Sequence, residues 1–254
     1  SDEIGLMVTL DGQKAYFASK INQSNGWDIY FFDLYEAVQP EEVVFVKGQL
    51  IIDQFASDED PKVLLKNSMT GESQQLQLSR DDNSFVAVVK KEEAQQVLLQ
   101  LEAKKAAFSA APIRLAPNLD AEGVLQNEVS IELEHKDLES GEAYLIPHIL
   151  FETASDRLDA QSELLIASFA QYLLGAPSLR VQIQGHTDNV GDASANLDLS
   201  KRRAKRVAET IIDLGVSANR ISHGGYGESR PVASNDSEVG RSQNRRTVFV
   251  VTAL

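Results

Sequence analysis

The chain has 254 residues, roughly enough for two or three average domains, and 43% of them are hydrophobic, which is ample for packed cores. Its formal net charge of −14 argues against nucleic-acid binding, because a protein that displaces counterions from phosphates needs a basic surface. The absence of cysteine excludes disulfide scaffolds, thiolate zinc sites and cysteine nucleophiles.

The hydropathy pattern argues against a membrane-spanning helix. No apolar run approaches the roughly 20 residues that such a helix needs, so we expect no transmembrane segment in this chain. The chain opens at Ser1-Asp2-Glu3 without an initiator Met or a secretory signal. We expect a processed or truncated product, with any signal or lipid anchor lying upstream.

The first zone, residues 1–40, carries the pattern of a hairpin. Lys14 to Ser19 predicts a strand, Asn22 to Gly26 a turn, and Trp27 to Phe32 an aromatic-rich strand. The stretch LDGQKAYFASKINQSNGWDIYFFDL resembles one repeat of a TolB-like β-propeller. A single repeat cannot close a propeller, because each blade buries its faces against its neighbours. We interpret this zone as a truncated propeller repeat; the alternative is an ordinary hairpin docked on the next domain.

The second zone, residues 41–117, is rich in short strand signals. Five of them recur about every dozen residues: VVFVKGQLII, KVLLKN, QLQLS, SFVAVV and VLLQLEA. This spacing, with turns at 68–72 and 80–83, predicts a small antiparallel sandwich. The zone resembles a carboxypeptidase-regulatory-like domain, an accessory β-sandwich without a catalytic motif. We interpret residues 118–142 as a connecting strand and linker.

The third zone, residues 143–254, changes to an alternation of strands and helices. The predicted order is β-α-β-α-β-β, with strands at Tyr144–Phe151, Leu179–Gln184, Ile221–Tyr226 and Thr247–Val251 and helices at Ala160–Leu174 and Leu197–Leu214. Gly215 is well placed to end the second helix. We therefore predict an α+β chain in which two helices pack on a mixed sheet, after an N-terminal all-β sandwich region.

The loop between the second predicted strand and the second helix combines opposite charges. Asp188 lies just beyond the strand, Asn196 or Asp198 is a natural N-cap, and Arg203 falls within the first two predicted turns. An Arg fork binds a carboxylate and an Asp accepts from an ammonium, so the pair suits a zwitterion near a helix N-terminus. The residues alone leave open that Asp188 and Arg203 only pair with each other or stay solvated.

Four segments of the third zone carry a family resemblance. ILFETASDRLDAQSELLIASFAQYLL, VQIQGHTDNVGDASANLDLSKRRAKRVAETIIDLGV, RISHGGYGESRPVASN and GRSQNRRTVFVV follow, in order, the OmpA-like peptidoglycan-binding domain. The resemblance implies that Asp188 and Arg203 clamp the diaminopimelate residue of a peptidoglycan stem peptide. It also implies that Asn196 contacts the peptide or orders the loop.

The same resemblance places further residues in the cleft. Thr187 and Leu199 adjoin the clamp positions, and Phe151 and Thr153 stand at the end of the first predicted strand. Arg246 belongs to the NRR signature of Asn244 to Arg246, where it is structural or lines the groove.

Other chemistry has little support in the sequence. The four histidines, His135, His148, His186 and His223, show no metal-ligand spacing, and His186 is best interpreted as a packing or capping residue. No nucleophile-elbow motif supports a hydrolase triad, and the acidic turn at 57–60 lacks the spacing of a calcium loop. We expect neither a metal nor a cofactor, and no catalytic residues.

We therefore predict a noncatalytic protein that anchors an outer-membrane or periplasmic assembly to the cell wall. The order of the three zones resembles envelope proteins of Bacteroidetes-type bacteria, some of which serve secretion or gliding machinery. In that arrangement the N-terminal region meets envelope protein partners while the C-terminal domain holds peptidoglycan. The alternative is a cell-wall enzyme whose catalytic part lies outside this chain and which uses this domain for targeting.

Overall fold

The computed structural model describes residues 3–9, 13–19, 27–35, 43–52, 61–68, 70–103, 106–114, 128–146, 149–152 and 155–254. The chain divides into one unit of Ser1–Val43 with Lys90–Glu92 and another of Val44–Val89 with Glu93–Leu254. Among the helices of these described ranges, none is both long and apolar enough to cross a bilayer. The turn predicted at Asn22 to Gly26 and the acidic turn at 57–60 lie outside the described residues.

The first unit contains a three-stranded antiparallel sheet in the order β1-β2-β3, formed by β1 (Glu3–Val8), β2 (Lys14–Ser19) and β3 (Asp28–Asp33). The two strands predicted here are present. Strand β1 was not predicted, and its pairing with β2 shifts register at Gly5, which has a φ of 65°. Cross-strand aromatic contacts, such as Phe17 on Tyr30 at 5.5 Å between ring centroids, join β2 to β3.

Two facing sheets form the β-rich part of the second unit. Their strands are β4 (Val43–Ile52), β5 (Lys62–Asn67), β6 (Ser73–Leu76), β7 (Ser84–Lys90), β8 (Val97–Glu102), β9 (Ala110–Pro112) and β10 (Glu128–His135). The sheet orders are β10-β4-β7 and β6-β5-β8-β9. Alternate side chains of both sheets, including Val46, Phe85, Val63 and Leu99, are buried in one shared core.

The prediction of a purely antiparallel sandwich is wrong for one pair of strands, because β10 runs parallel to β4 from Glu128 beside Phe45 to His135 beside Ile52. A parallel pair needs a long crossover, and here β10 reaches β4 only after the chain has formed the whole opposite sheet. Strand β10 falls within the segment that the sequence indicated as a connecting strand and linker.

The C-terminal part of the second unit is an α+β layer, as predicted. It comprises β11 (Ala143–Leu145), α1 (Ala160–Gly175), β12 (Arg180–Gly185), α2 (Ala193–Asp213), β13 (Ile221–Gly225), α3 (Glu238–Asn244) and β14 (Thr247–Ala253). The sheet order is β11-β14-β12-β13, with β12 parallel to β13 and the other pairs antiparallel. Helices α1 and α2 share an apolar core with this mixed sheet.

Two boundaries and one helix differ clearly from the predictions for this part. The first strand ends at Leu145 rather than Phe151, which makes only an isolated bridge to Leu158. Helix α3 was missed because it is short and lacks apolar periodicity. Helix α2 begins at Ala193 rather than Leu197, because the Asp192 carboxylate accepts hydrogen bonds from the backbone N–H groups of the first turn.

Two glycines bring α2 close against the sheet. A Cβ at Gly185 would overlap the carbonyl oxygen of Ser200, and a Cβ at Gly225 would overlap the backbone of Lys201. Neighbouring strands β12 and β13 therefore each carry glycine where the helix crosses them. This close approach places the N-terminal half of α2 beside the loop that follows β12.

The sandwich is packed onto α1 through a shared apolar core. The Phe108 ring meets Phe169 of α1 at 5.0 Å in an edge-to-face arrangement and Tyr172 at 5.6 Å. Three more buried residues of the sandwich join the core of the C-terminal layer: Leu98, Ala107 and Ala110. The sandwich therefore covers the part of α1 around Phe169 and Tyr172.

Polar contacts reinforce this interface. The buried Ser168 hydroxyl donates to Gln100 Oε1 at 2.6 Å. Arg114 pairs with Asp159 at 3.0 Å, and Asp159 is also the N-cap that accepts from the Ser162 N–H at 2.7 Å. Buried polar groups need partners. These bonds therefore fix how the sandwich is oriented on α1.

Candidate functional site

The loop after β12 holds Asp188 in a nearly enclosed position. The backbone N–H of Thr187 donates to the Gly227 carbonyl, which ties the loop to the segment after β13. Asp188 Oδ1 accepts from the Val190 N–H at 3.1 Å, and Oδ2 accepts from Arg245 Nη1 at 2.6 Å. Only 10% of the Asp188 side chain is exposed. Asp188 is therefore a paired carboxylate at the rim of the loop.

Arg203 lies on α2 in a different environment. Its Nε donates to the Ser155 carbonyl at 2.9 Å and its Nη2 to the Glu152 carbonyl at 3.3 Å. Its guanidinium stands 4.7 Å from the centroid of the Phe151 ring. Where the structure describes the chain, no ion pair joins Arg203 to a carboxylate. The hydrogen bonds and the ring contact that hold the guanidinium in the described structure thus come from neutral groups.

Burial also affects the protonation of this guanidinium. It lowers the pKa of Arg203 below the ordinary value, the neighbouring charge of Arg202 lowers it further, and Asp156 acts in the opposite direction. Desolvation strengthens the attraction of a half-buried cation for any anion that reaches it.

Asn196 organises the site from the first turn of α2. Its Nδ2 lies 3.4 Å from the Asp188 carbonyl, 3.1 Å from the Val190 carbonyl and 2.9 Å from Glu228 Oε2. The residue is 8% exposed, so its amide is committed to the protein. Of the two predicted roles, contacting a peptide or ordering the loop, this geometry favours the second.

The predicted position of Arg203 within the helix is wrong. Because α2 begins at Ala193, Arg203 lies in the third turn and not in the first two. It follows Asn196 by seven residues and Leu199 by four, so all three lie on one face of the helix, over a rise of about 10 Å. Leu199 is partly exposed between the two polar residues.

The remaining predicted residues divide between the site and its frame. Phe151 is in direct contact with Arg203, whereas Thr153 lies outside the described residues. The Thr187 side chain is buried, and its hydroxyl has no hydrogen-bond partner in the described structure. Arg246 donates to the Arg230 carbonyl at 3.1 Å, and burial lowers its pKa, as expected for a framework cation.

Asn244, the first residue of the NRR signature, is also a framework residue. It is fully buried, and its Oδ1 accepts from the N–H groups of Val232 and Ala233 at 2.8 and 3.1 Å. Its Nδ2 donates to the Ala233 carbonyl and to Asn235 Oδ1, each at 2.9 Å. Asn244 therefore holds the loop that leads into α3.

The sequence did not reveal the ion pair that the structure gives Asp188. Arg245 contacts Asp188 through Nη1 and Glu238 through Nη2, at 2.6 and 2.7 Å. Asp188 and Arg203 therefore do not form the mutual pair that the residues alone left open. The NRR signature pointed to the right segment, but it singled out Arg246 rather than Arg245.

The structure confirms the interpretation of His186 as a packing residue. It is 5% exposed, and its ring stacks on Tyr226 at 5.5 Å between centroids. Neither ring nitrogen has a hydrogen-bond partner in the described structure. Burial lowers the pKa of His186 to about 4, with the charges of Arg246 and Arg230 adding to the shift. Over the described residues, no group of three or more His, Asp or Glu is arranged to hold a metal ion.

His186 should make the stability of the fold depend on pH. Unfolded His186 binds a proton near pH 6.5 and the folded residue only near pH 4, so its stabilising contribution is present above pH 6.5 and is lost as pH falls toward 4. We expect wild type to lose about 2–3 kcal/mol more than His186→Phe between pH 7 and pH 4.5. Urea denaturation of both proteins at the two pH values measures this difference, and equal losses would contradict it.

Comparisons with known proteins identify the family of the C-terminal region. The model of the OmpA family matches residues 150–245. The outer-membrane lipoprotein YfiB of Pseudomonas aeruginosa is 39% identical over 130 residues, which are 51% of this chain and 75% of YfiB. The peptidoglycan-binding protein ArfA of Mycobacterium tuberculosis is 43% identical over 82 residues, 32% of this chain and 25% of ArfA.

A solved structure adds a further match. The peptidoglycan-associated lipoprotein of Burkholderia pseudomallei is 33% identical, with 41% of this chain and 87% of that chain covered and a TM-score of 0.38. The chain spans three quarters of YfiB but only one quarter of ArfA. Because the 39% identity to YfiB extends over three quarters of that protein and the OmpA family model matches residues 150–245, this chain belongs to the OmpA family.

Proposed function

We propose that the C-terminal domain binds peptidoglycan noncatalytically, through the diaminopimelate residue of a stem peptide, and so anchors an envelope assembly to the cell wall. The observation that supports this proposal is the environment of the Arg203 guanidinium. It is a half-buried guanidinium, positioned by carbonyls and an aromatic ring, without a carboxylate partner in the described structure. Such a group is prepared for an anion that the protein itself does not supply.

The donors of Arg203 fit a carboxylate. Two of its five N–H groups are engaged by the Ser155 and Glu152 carbonyls, which leaves donors for a bidentate contact. Phe151 holds the plane of the guanidinium, so little conformational freedom remains to be lost on binding.

Asp188 supplies the opposite charge. Each of its carboxylate oxygens accepts one hydrogen bond in the free protein, and each retains a lone pair for an ammonium donor. Asn196 links this loop to the helix face that carries Arg203. A ligand with a carboxylate and an ammonium at one end, as in diaminopimelate, satisfies both groups.

The expected affinity for one stem peptide is low. Hydrogen bonds to charged groups contribute about 1.5–3 kcal/mol each, and this cleft offers only a few. Retention on the wall then depends on many chains of this protein binding one polymer, which raises the effective concentration of binding sites.

The relatives support a location in the cell envelope. YfiB is named as an outer-membrane lipoprotein and ArfA as a peptidoglycan-binding protein. We place this chain in the periplasm, associated with the outer membrane and the cell wall. The names of YfiB and ArfA specify no role in secretion or motility. We propose secretion or gliding machinery as one assembly that this domain would anchor to the wall.

We assign the N-terminal region to partner binding. The proposed domains are a propeller-repeat-like sheet at 1–40, a carboxypeptidase-regulatory-like sandwich at 41–117 that also includes β10 from the segment 118–142, and the OmpA-like domain at 143–254. The support for partner binding is the exposure of apolar side chains on the first sheet, where Met7, Ile29 and Phe31 are 72%, 75% and 61% exposed.

Sedimentation with insoluble peptidoglycan tests the proposal. The full chain should co-sediment with diaminopimelate-containing sacculi and bind poorly to sacculi that carry lysine in its place, because lysine lacks the carboxylate that Arg203 would bind. Equal retention on both polymers would contradict the clamp. Release of soluble fragments from the sacculi would contradict the noncatalytic assignment.

A further inference from the structure

We propose that Arg245 is a positioning residue of the clamp, which holds the Asp188 carboxylate in place for the ligand without contacting the ligand itself. This inference rests on the proposed function. It extends the site by a cation that comes from the segment between α3 and β14.

The contacts of Arg245 are those of a bridge between two carboxylates. Its Nη1 lies 2.6 Å from Asp188 Oδ2 and its Nη2 lies 2.7 Å from Glu238 Oε1. The Asp188 side chain is 10% exposed, that of Arg245 41% and that of Glu238 66%, so the bridge runs from a buried acid to the surface. Hydrogen bonds to both acids raise the pKa of Arg245.

These contacts indicate that Arg245 and Arg203 have different roles. Both terminal nitrogens of Arg245 already donate to carboxylates of the protein, so a ligand carboxylate that approached its remaining N–H groups would meet the negative charges of Asp188 and Glu238. Arg203 has no carboxylate partner where the structure describes the chain. We therefore assign the carboxylate of the ligand to Arg203, whereas Arg245 binds carboxylates of the protein.

The two anchors of Asp188 fix its side chain from both ends. Oδ1 is held by the Val190 N–H, two residues along the loop, and Oδ2 by Arg245. The remaining lone pairs then point in set directions, which orients an incoming ammonium. Without Arg245 a nearly buried carboxylate would lose its counter-charge, and its side chain would turn toward water to regain solvation.

Glu238 completes the arrangement from the first turn of α3. It pairs with Arg245 and, through Oε2, with Arg241 at 2.9 Å. Arg241 also donates to the Asn235 carbonyl at 2.9 Å. Arg241 and Arg245 thus share Glu238 as a partner, but Asp188 is bound by Arg245. This difference provides a matched control within one turn of the chain.

The test compares four variants of the full chain on diaminopimelate-containing sacculi. Arg245→Ala should lower retention about tenfold, and Arg245→Lys should recover it to within about threefold of wild type, because an ammonium still neutralises Asp188. Arg241→Ala removes the same charge near the same acid and should stay within about twofold. Arg203→Lys should fail, since an ammonium cannot replace a fork that binds the ligand.

The contrast between the two lysine variants separates positioning from ligand contact. If Arg245→Lys fails as badly as Arg203→Lys, Arg245 binds the ligand and the inference is wrong. If Arg245→Ala lowers the melting temperature more than Arg241→Ala and loses retention only in proportion to unfolded protein, the role is structural and the inference is also wrong.

Two further variants distinguish this inference from the proposed function. Asp188→Ala and Arg203→Ala should both lose retention. If both retain it, the clamp itself fails. If both lose it while Arg245→Ala binds like wild type, the clamp stands and Arg245 has no positioning role.

Discussion

Replacing Arg203 by Ala should lower the capture of diaminopimelate-containing sacculi by about a hundredfold or more. The change removes a bidentate contact made of two charged hydrogen bonds, each contributing about 1.5–3 kcal/mol. Arg203 packs against Phe151 and has no carboxylate partner among the described residues. We therefore expect no neighbouring cation to replace it.

The matched control for this variant is Arg202→Ala. Arg202 precedes Arg203 on α2 and is exposed, so its removal changes the net charge equally without opening the site. Sedimentation with sacculi, supported by thermal unfolding of each variant, measures the effect. If Arg203→Ala binds like Arg202→Ala while both remain folded, Arg203 does not hold the ligand.

Replacing Phe108 by Ala should destabilise the full chain by about 3–5 kcal/mol, the range measured when a buried Phe is truncated. Phe108 is 4% exposed and fills the space between the sandwich and α1, against Phe169 and Tyr172. The cavity cannot collapse easily, because the polar bonds around Ser168 and Asp159 hold the two parts at a set distance.

The control for the core variant is Phe45→Ala. Phe45 lies in β4 and is 44% exposed, so its truncation should change the free energy of unfolding by less than about 1 kcal/mol. Urea denaturation of both variants provides the comparison. Similar losses in the two variants would show that Phe108 does not join the sandwich to α1.

This interface also affects how binding should be measured. The sequence predicts that residues 143–254 carry the binding activity, because the proposed clamp residues Asp188 and Arg203 lie in that range. The structure adds that α1 of this range is covered by Phe108 and its neighbours from the sandwich. Experiments on the full chain keep this surface buried, whereas a fragment that begins at Ala143 would expose it.

The sequence predicted the regular elements well where their periodicity is strong. Helix α1 was predicted from Ala160 to Leu174 and extends to Gly175, because its apolar residues recur at helical spacing. Helix α2 was predicted to begin four residues late, because its first turn, from Ala193 to Asn196, contains no large apolar residue. The parallel register of β10 leaves no local pattern, since it depends on a distant partner.

The candidate site could be predicted from the sequence only in part, for a related reason. A motif that lies in one segment, such as the loop with Asp188 and the helix with Arg203, is visible along the chain. The pairing of Asp188 with Arg245 joins residues far apart in the sequence and appears only when β12 and β14 lie side by side. Sequence reasoning assigned opposite charges to the cleft, but it could not assign their partners.

The central claim is that Asp188 and Arg203 hold the two charges of a diaminopimelate end. The most direct measurement is a titration of the full chain, with its backbone amides followed by NMR, using a stem tripeptide that ends in diaminopimelate and one that ends in lysine. The account predicts saturable shifts at Asp188, Val190 and the Arg203 turn of α2 with the first peptide and much weaker shifts with the second. Equal shifts with both peptides, or shifts that avoid these residues, would contradict it.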